Sequence, residues 1–179
     1  MNFAPSVTQP RTQVCTFNEA LNYQNDSIVY KFMEYYDVSF EEASDLFEET
    51  KKWMWLCAVA IEEHRQGQQP PQLTIDESMM FLDEMWHTFI LFTREYHWYC
   101  MEKFGFFIHH VPTTKEEKER SARKWADDPE GAQAEREEQL RAQYSYIYDK
   151  LGEETLVKWY GEWPEKYTPE YIKSISRRF

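Results

Sequence analysis

Apolar residues recur at helical spacing along most of the chain. Val29, Phe32, Met33 and Tyr36 fall on one face of a segment that Asp26-Ser27 can cap. Ser39-Phe-Glu-Glu42 has the form of a capping box, in which serine and glutamate satisfy each other's orphan amides. The helix it opens places Phe40, Ala43, Phe47, Met54, Cys57 and Ile61 near one face. It is expected to end near Glu63, before Gly67 and Pro70-Pro71. Thr74-Ile-Asp-Glu77 reads as a second capping box, followed by Met79, Met80, Leu82, Trp86 and Ile90. One helix over 74–104 would be about 46 Å long, more than a compact domain of this size holds comfortably. A break near Phe92 is therefore predicted, with Thr93 as N-cap, a restart at Arg94 and Gly105 as a left-handed terminator.

Beyond Gly105 the pattern changes. Thr114-Lys-Glu-Glu117 is a third capping box, and residues 114–143 are mostly charged or small, with Trp125 and Leu140 as exceptions. This reads as a projecting, solvated helical arm, interrupted at Asp127-Asp-Pro-Glu-Gly131. Packing character returns with Tyr144, Tyr148, Leu151, Leu156, Trp159, Tyr160 and Trp163. Pro164 is expected to end that helix, and Thr168-Pro169 to start a short last one. Residues 1–16 read as a disordered or extended leader, leaving 17–179 as one domain. The expectation is an all-α, single-domain irregular helical bundle with a central helix pair and a charged arm.

Composition narrows the function classes. Five glycines against 12 Tyr, 12 Phe and 7 Trp favour helices packed by aromatic rings. The longest apolar run, Trp53 to Ile61, is about half of a bilayer crossing. Without a basic, apolar N-terminal segment no secretory signal is expected. Cys15, Cys57 and Cys100 form no CxxC and cannot all pair, which suits a reducing cytoplasm. A formal charge of -12 disfavours direct nucleic-acid binding. It leaves room for a basic protein partner or for an acidic inhibitor that mimics nucleic acid. No Gly-rich phosphate loop and no GxSxG occur.

Candidate chemistry concentrates between Asp83 and His110, where four of the five histidines lie. Asp83 and His87, four apart, share a helix face, so the carboxylate can orient the imidazole. A reversal after Phe92 would bring Cys100 toward His87, and His110 could fold back as a further ligand. His87, Cys100 and His110 would then make a zinc site with an open position for water. In that version Tyr96 or Glu84 assists proton transfer. The same residues also suit a buried polar network uniting two helices. His64 and His97 have weaker claims, as a solvated helix-end residue and a residue off the Tyr96/Cys100 face.

The string Asp83-x-x-Trp86-His87, with Leu91, Tyr96, Cys100, Gly105 and His110, resembles the glycine-rich domain-containing protein-like family. The stretches Tyr35 to Cys57 and Tyr148 to Trp159 look like that family's flanking helices. Phe89 stands where the family often carries a second histidine, and these 179 residues hold no glycine-rich segment. The resemblance implies that Asp83, Trp86, His87, Tyr96, Cys100 and His110 act as one spatial unit, and it implies no established activity. The leading functional expectation is a non-enzymatic module that engages another protein through its aromatic surface or charged arm. The competing one is a zinc-dependent hydrolase-like enzyme.

Overall fold

In the computed structural model, Arg11 and residues 13–177 are described; residues 1–10, 12, 178 and 179, including most of the expected leader, lie outside them. The first helices are α1 (Phe17–Leu21), α2 (Asp26–Tyr35) and α3 (Phe40–Arg65). Each starts on a polar cap. Thr16 and Glu19 form a reciprocal capping box on α1, and Asn25, rather than the expected Asp26-Ser27, caps α2. Ser39 caps α3 by accepting from Glu42 N–H. The Glu42 carboxylate turns instead to the Tyr167 hydroxyl at 2.8 Å and Lys166 Nζ at 3.0 Å. A tertiary partner thus replaces the reciprocal half of the expected box.

The 26-residue α3 is the axis of the fold. Leu46, Phe47, Trp53, Met54 and Leu56 are buried along it, and α1, α2 and two later helices pack against it. Its only fully buried carboxylate is Glu49 among the described residues. Lys52, Lys158 and the Trp159 indole N–H partner it at 2.9, 2.7 and 2.8 Å, which offsets the cost of burying the charge.

The central pair is α4 (Met80–Leu91) and α5 (Thr93–Phe104). A 3₁₀ turn at Glu77–Met79 precedes α4, and Asp76, not Thr74, caps it. Thr74 is occupied elsewhere: its amide donates to Gln143 Oε1 and its carbonyl accepts from Gln143 Nε2. The predicted interruption falls at Phe92, whose φ of -84° and ψ of 61° end one helix and start the next. Thr93 is the first helical residue rather than the cap. Gly105 closes α5 with φ 79°, and a Cβ there would lie 2.1 Å from the Arg11 carbonyl oxygen.

The charged segment forms α6 (Lys115–Asp127) and the first part of α7 (Pro129–Leu151), hinged at Asp128-Pro129. The Thr114–Glu117 capping box is present as expected, and no residue of α6 is buried. In α7, Ala132 and then Gln143 and Ile147 are buried, so its later turns belong to the body. Gly152 (φ 87°) separates α8 (Glu153–Val157), a π turn follows at 158–162, and α9 spans Trp163–Lys166. Pro164 therefore sits in a first turn, where its missing N–H is harmless, instead of ending a helix. The last helix, α10 (Pro169–Ile175), leads to Arg177, whose amide donates to the Tyr35 carbonyl at 2.7 Å. The protein is an all-α single-domain bundle, with one isolated antiparallel bridge, Tyr36 to Ser176, among the described residues.

Candidate functional site

Three polymer segments meet at the site, and a relay of hydrogen bonds holds them. Trp86 on α4 donates its indole N–H to the Tyr96 hydroxyl on α5 at 3.0 Å. Tyr96 in turn donates to the Ile108 carbonyl at 2.7 Å. On a straight helix, residues ten apart are separated by about 15 Å along the axis, so the first bond requires the break at Phe92. The second bond fixes the segment after Gly105 against α5. All three residues are buried, and burial holds the Tyr96 phenol well above its ordinary pKa, as a neutral donor.

That anchoring sets His110 against α4. His110 Nε2 lies 2.8 Å from Asp83 Oδ1, and His87 Nδ1 lies 3.6 Å from Asp83 Oδ2. The two imidazole centroids are 4.5 Å apart, and the Trp86 ring meets His110 edge-on at 4.6 Å. One ligand atom from each of Asp83, His87 and His110 lies within 4.8 Å of the others. Tetrahedral bonds of about 2.1 Å place ligand atoms roughly 3.4 Å apart; here the two imidazoles approach different oxygens of Asp83, His110 by a direct hydrogen bond, and the three ligand atoms lie close enough for one ion to gather them. Asp83 is thus placed to be a ligand itself as well as an orienting group. Exposure increases from His110 (16 %) through Asp83 (28 %) to His87 (46 %), so one side of the cluster faces solvent.

Cys100 is not in this cluster. It is buried beside the Ile108 backbone and Tyr96, and burial pushes its thiol up to about 11, an effect those two neighbours oppose. A thiol held protonated in an apolar interior is a poor zinc ligand. Its place is beneath the relay, packing the segment that carries His110. Glu84 is engaged by the Tyr36 hydroxyl at 2.6 Å, away from the imidazoles. Phe89 is buried among Tyr23, Phe47, Tyr96 and Tyr99, with ring centroids 5.1–5.8 Å away. Two positions from His87 means about 200° around the helix, so a side chain at 89 faces the core, not the cluster. His97 is exposed beside Phe107, and His64 ends α3 in solvent.

The cluster opens into a cleft of about 970 Å³ between α3, the 70–75 loop and the 108–113 segment. His64, His87, His109 and His110 all line it, as do Arg65 and Lys118. Its α3 wall contains Trp53, Cys57 and Ile61, one stripe of that helix at intervals of four. The same spacing in the sequence identifies a packed face; which part of that face stays open depends on where the 70–75 loop passes.

An all-α bundle carrying a carboxylate and two imidazoles at the mouth of a cleft defines the class. The chain belongs to the UCP032817-like family, whose model matches residues 27–126, and that family is uncharacterised. The match spans α2 to α6 and includes every residue of the cluster. Its description mentions no glycine-rich domain. No curated protein and no solved structure matches the chain. Among the described residues no helix is long and apolar enough to cross a membrane.

Proposed function

We propose that this protein is a zinc-dependent, hydrolase-like enzyme in which Asp83, His87 and His110 hold the metal and the cleft holds its substrate. The observation that carries the reading is the grouping of those three ligand atoms within 4.8 Å at a 970 Å³ cleft. One carboxylate leaves a net charge of +1 on the metal–ligand set, which favours ionisation of a bound water. Asp83, His87 and His110 would supply three ligands to such an ion and leave it open to a water. Two histidines and a carboxylate also suit Fe(II), so the metal's identity is read by elemental analysis.

The test is metal content and metal-induced stabilisation of protein purified without chelator. About one zinc per chain is expected, with a rise in Tm on adding zinc to chelator-treated protein. His87→Ala and His110→Ala should abolish both, while Cys100→Ala should keep the stoichiometry at a lower Tm. Less than about 0.2 metal per chain in the unmodified protein removes the Lewis acid and with it this reading.

A second reading, a protein-interaction module, is supported by α6, which buries no residue and leaves Trp125 44 % exposed. Large apolar side chains on an otherwise charged, unpacked helix are typical anchors for a partner. Affinity capture by the full chain and by Trp125→Ala separates the possibilities. An unchanged set of partners excludes this helix as the contact.

A further inference from the structure

The outer face of α7 carries a stripe of packing residues that the described residues leave open. Leu140, Tyr144 and Tyr148 recur at every fourth position, so they lie along one side of the helix. With Leu156 of α8 they line a groove of about 530 Å³. Tyr144 is backed by the Tyr160 ring at 4.3 Å, and the neighbouring Gln143 side chain is bonded to both Thr74 and the Tyr160 hydroxyl. The floor of the groove is therefore held from behind. Tyr148 nevertheless remains 52 % exposed, as does Val157, next to Leu156, at 47 %. Uncovered tyrosine on a rigid apolar stripe is the kind of surface that carries binding energy, because little side-chain freedom is lost when a partner buries it.

Charge selects the partner. Glu137 and Asp149 line the groove together with Arg141, and Glu138, Glu153 and Glu154 stand exposed beside them in the sequence. Five carboxylates against one guanidinium leave the face acidic. The nearby cations are committed elsewhere: Arg136 to Asp76, Lys150 to Glu63, and Lys158 to Asp45 and Glu49. A second copy of the chain would set this negative face against itself, and an anionic lipid surface would be repelled in the same way. A cationic partner meets attraction at the rim and apolar contact on the floor. Between residues 140 and 148 the stripe runs straight for about 12 Å, which suits the apolar face of a helix with anchors at intervals of three and four.

We propose that this groove docks a basic amphipathic helix of a partner protein. Its apolar face lies on Tyr144, Tyr148 and Leu156, and its lysines or arginines meet Glu137 and Asp149. The contact involves neither the metal cluster nor Trp125, so its failure leaves both of those readings standing.

The experiment titrates the full chain into a fluorescein-labelled leucine–lysine peptide patterned as an amphipathic helix of about five turns, followed by anisotropy. A leucine–glutamate peptide of the same pattern and a scrambled leucine–lysine peptide are the matched probes. The patterned leucine–lysine peptide is expected to bind saturably and more weakly as salt rises, with no binding of the glutamate version. Tyr148→Ser should weaken binding about tenfold, the loss of one anchoring aromatic side chain. Asp149→Lys should weaken it about fivefold. Glu170→Lys, the same charge change at an exposed position outside the groove, should weaken it less than about twofold. All three positions are on the surface, and urea unfolding of each variant checks that the fold is kept. No binding, equal binding of the scrambled or glutamate peptide, or equal effects of Tyr148→Ser and Glu170→Lys overturns the assignment. Ultracentrifugation of the chain alone supplies the remaining outcome: a dimer that Tyr148→Ser disperses gives the groove to a second copy and overturns it as well.

Discussion

Tyr96→Phe tests the relay on which the site's geometry depends. The substitution keeps the ring and its edge-on contacts with Phe89 and Phe107, at 5.1 and 5.2 Å, and removes only the hydroxyl. That hydroxyl accepts from Trp86 and donates to Ile108, and both partners are buried. Without it an indole N–H and a carbonyl are left in the interior. Each orphaned group costs about 1–3 kcal/mol, and the carbonyl is the more easily re-satisfied, so a loss of about 2–4 kcal/mol is expected. For a chain of this size each kcal/mol lowers Tm by roughly 2–4 °C, giving a fall of about 5–15 °C. Urea unfolding monitored by far- and near-UV circular dichroism measures it. Tyr99→Phe, which orphans only the Ala20 carbonyl, should cost about half as much. Tyr30→Phe, on the surface, should change stability by less than about 0.5 kcal/mol. If Tyr96→Phe falls within the range of Tyr30→Phe, the hydroxyl does not hold α4, α5 and the His110 segment together.

Other perturbations report on separate parts of the structure. Gly105→Ala should lower Tm by more than an ordinary surface change, because φ 79° alone costs about 1–2 kcal/mol and the new Cβ meets the Arg11 carbonyl; an unaltered Tm would mean the N-terminal segment does not lie there. Burial raises the Cys15 and Cys100 thiols from 9.0 to about 11, so the folded chain keeps protons that the unfolded chain loses over that interval. Their contribution, about 1–3 kcal/mol each, is complete below pH 9 and lost as the pH rises through 11. Lys51, which desolvation lowers to about 8, works in the opposite direction between pH 8 and 10.5. A Cys15→Ala/Cys100→Ala variant should therefore show a shallower alkaline decline in unfolding free energy, and an unchanged slope would exclude these two thiols as its source. Trp125→Ala should lower Tm by no more than about 4 °C, since Trp125 is 44 % exposed and no residue of α6 is fully buried; a larger fall would place Trp125 in the folding core.

Much of the helical framework was legible because local chemistry decides it. The Thr114–Glu117 box, the Ser39 cap, the break at Phe92 and the Gly105 terminator each rest on contacts within a few residues or on one backbone angle. Where expectation and structure part, a distant partner has intervened. Gln143, 69 residues away, occupies the Thr74 backbone, so Asp76 caps the next turn. Tyr167 takes the Glu42 carboxylate that the Ser39 box would have used. Glu49, Lys158 and Trp159 give no local signal, since their separations of 109 and 110 residues carry no periodicity.

The candidate site divides along the same line. That Asp83 and His87 share a face follows from four-residue spacing alone. That His110 joins them, and Cys100 does not, depends on how the chain after Gly105 is pinned to α5 by Tyr96 and Ile108. Spacing along a helix is set by a geometry every helix shares, and a sequence displays it openly. Proximity between segments is set by which buried donors and acceptors find each other once the chain has closed on itself, and that selection belongs to the whole fold.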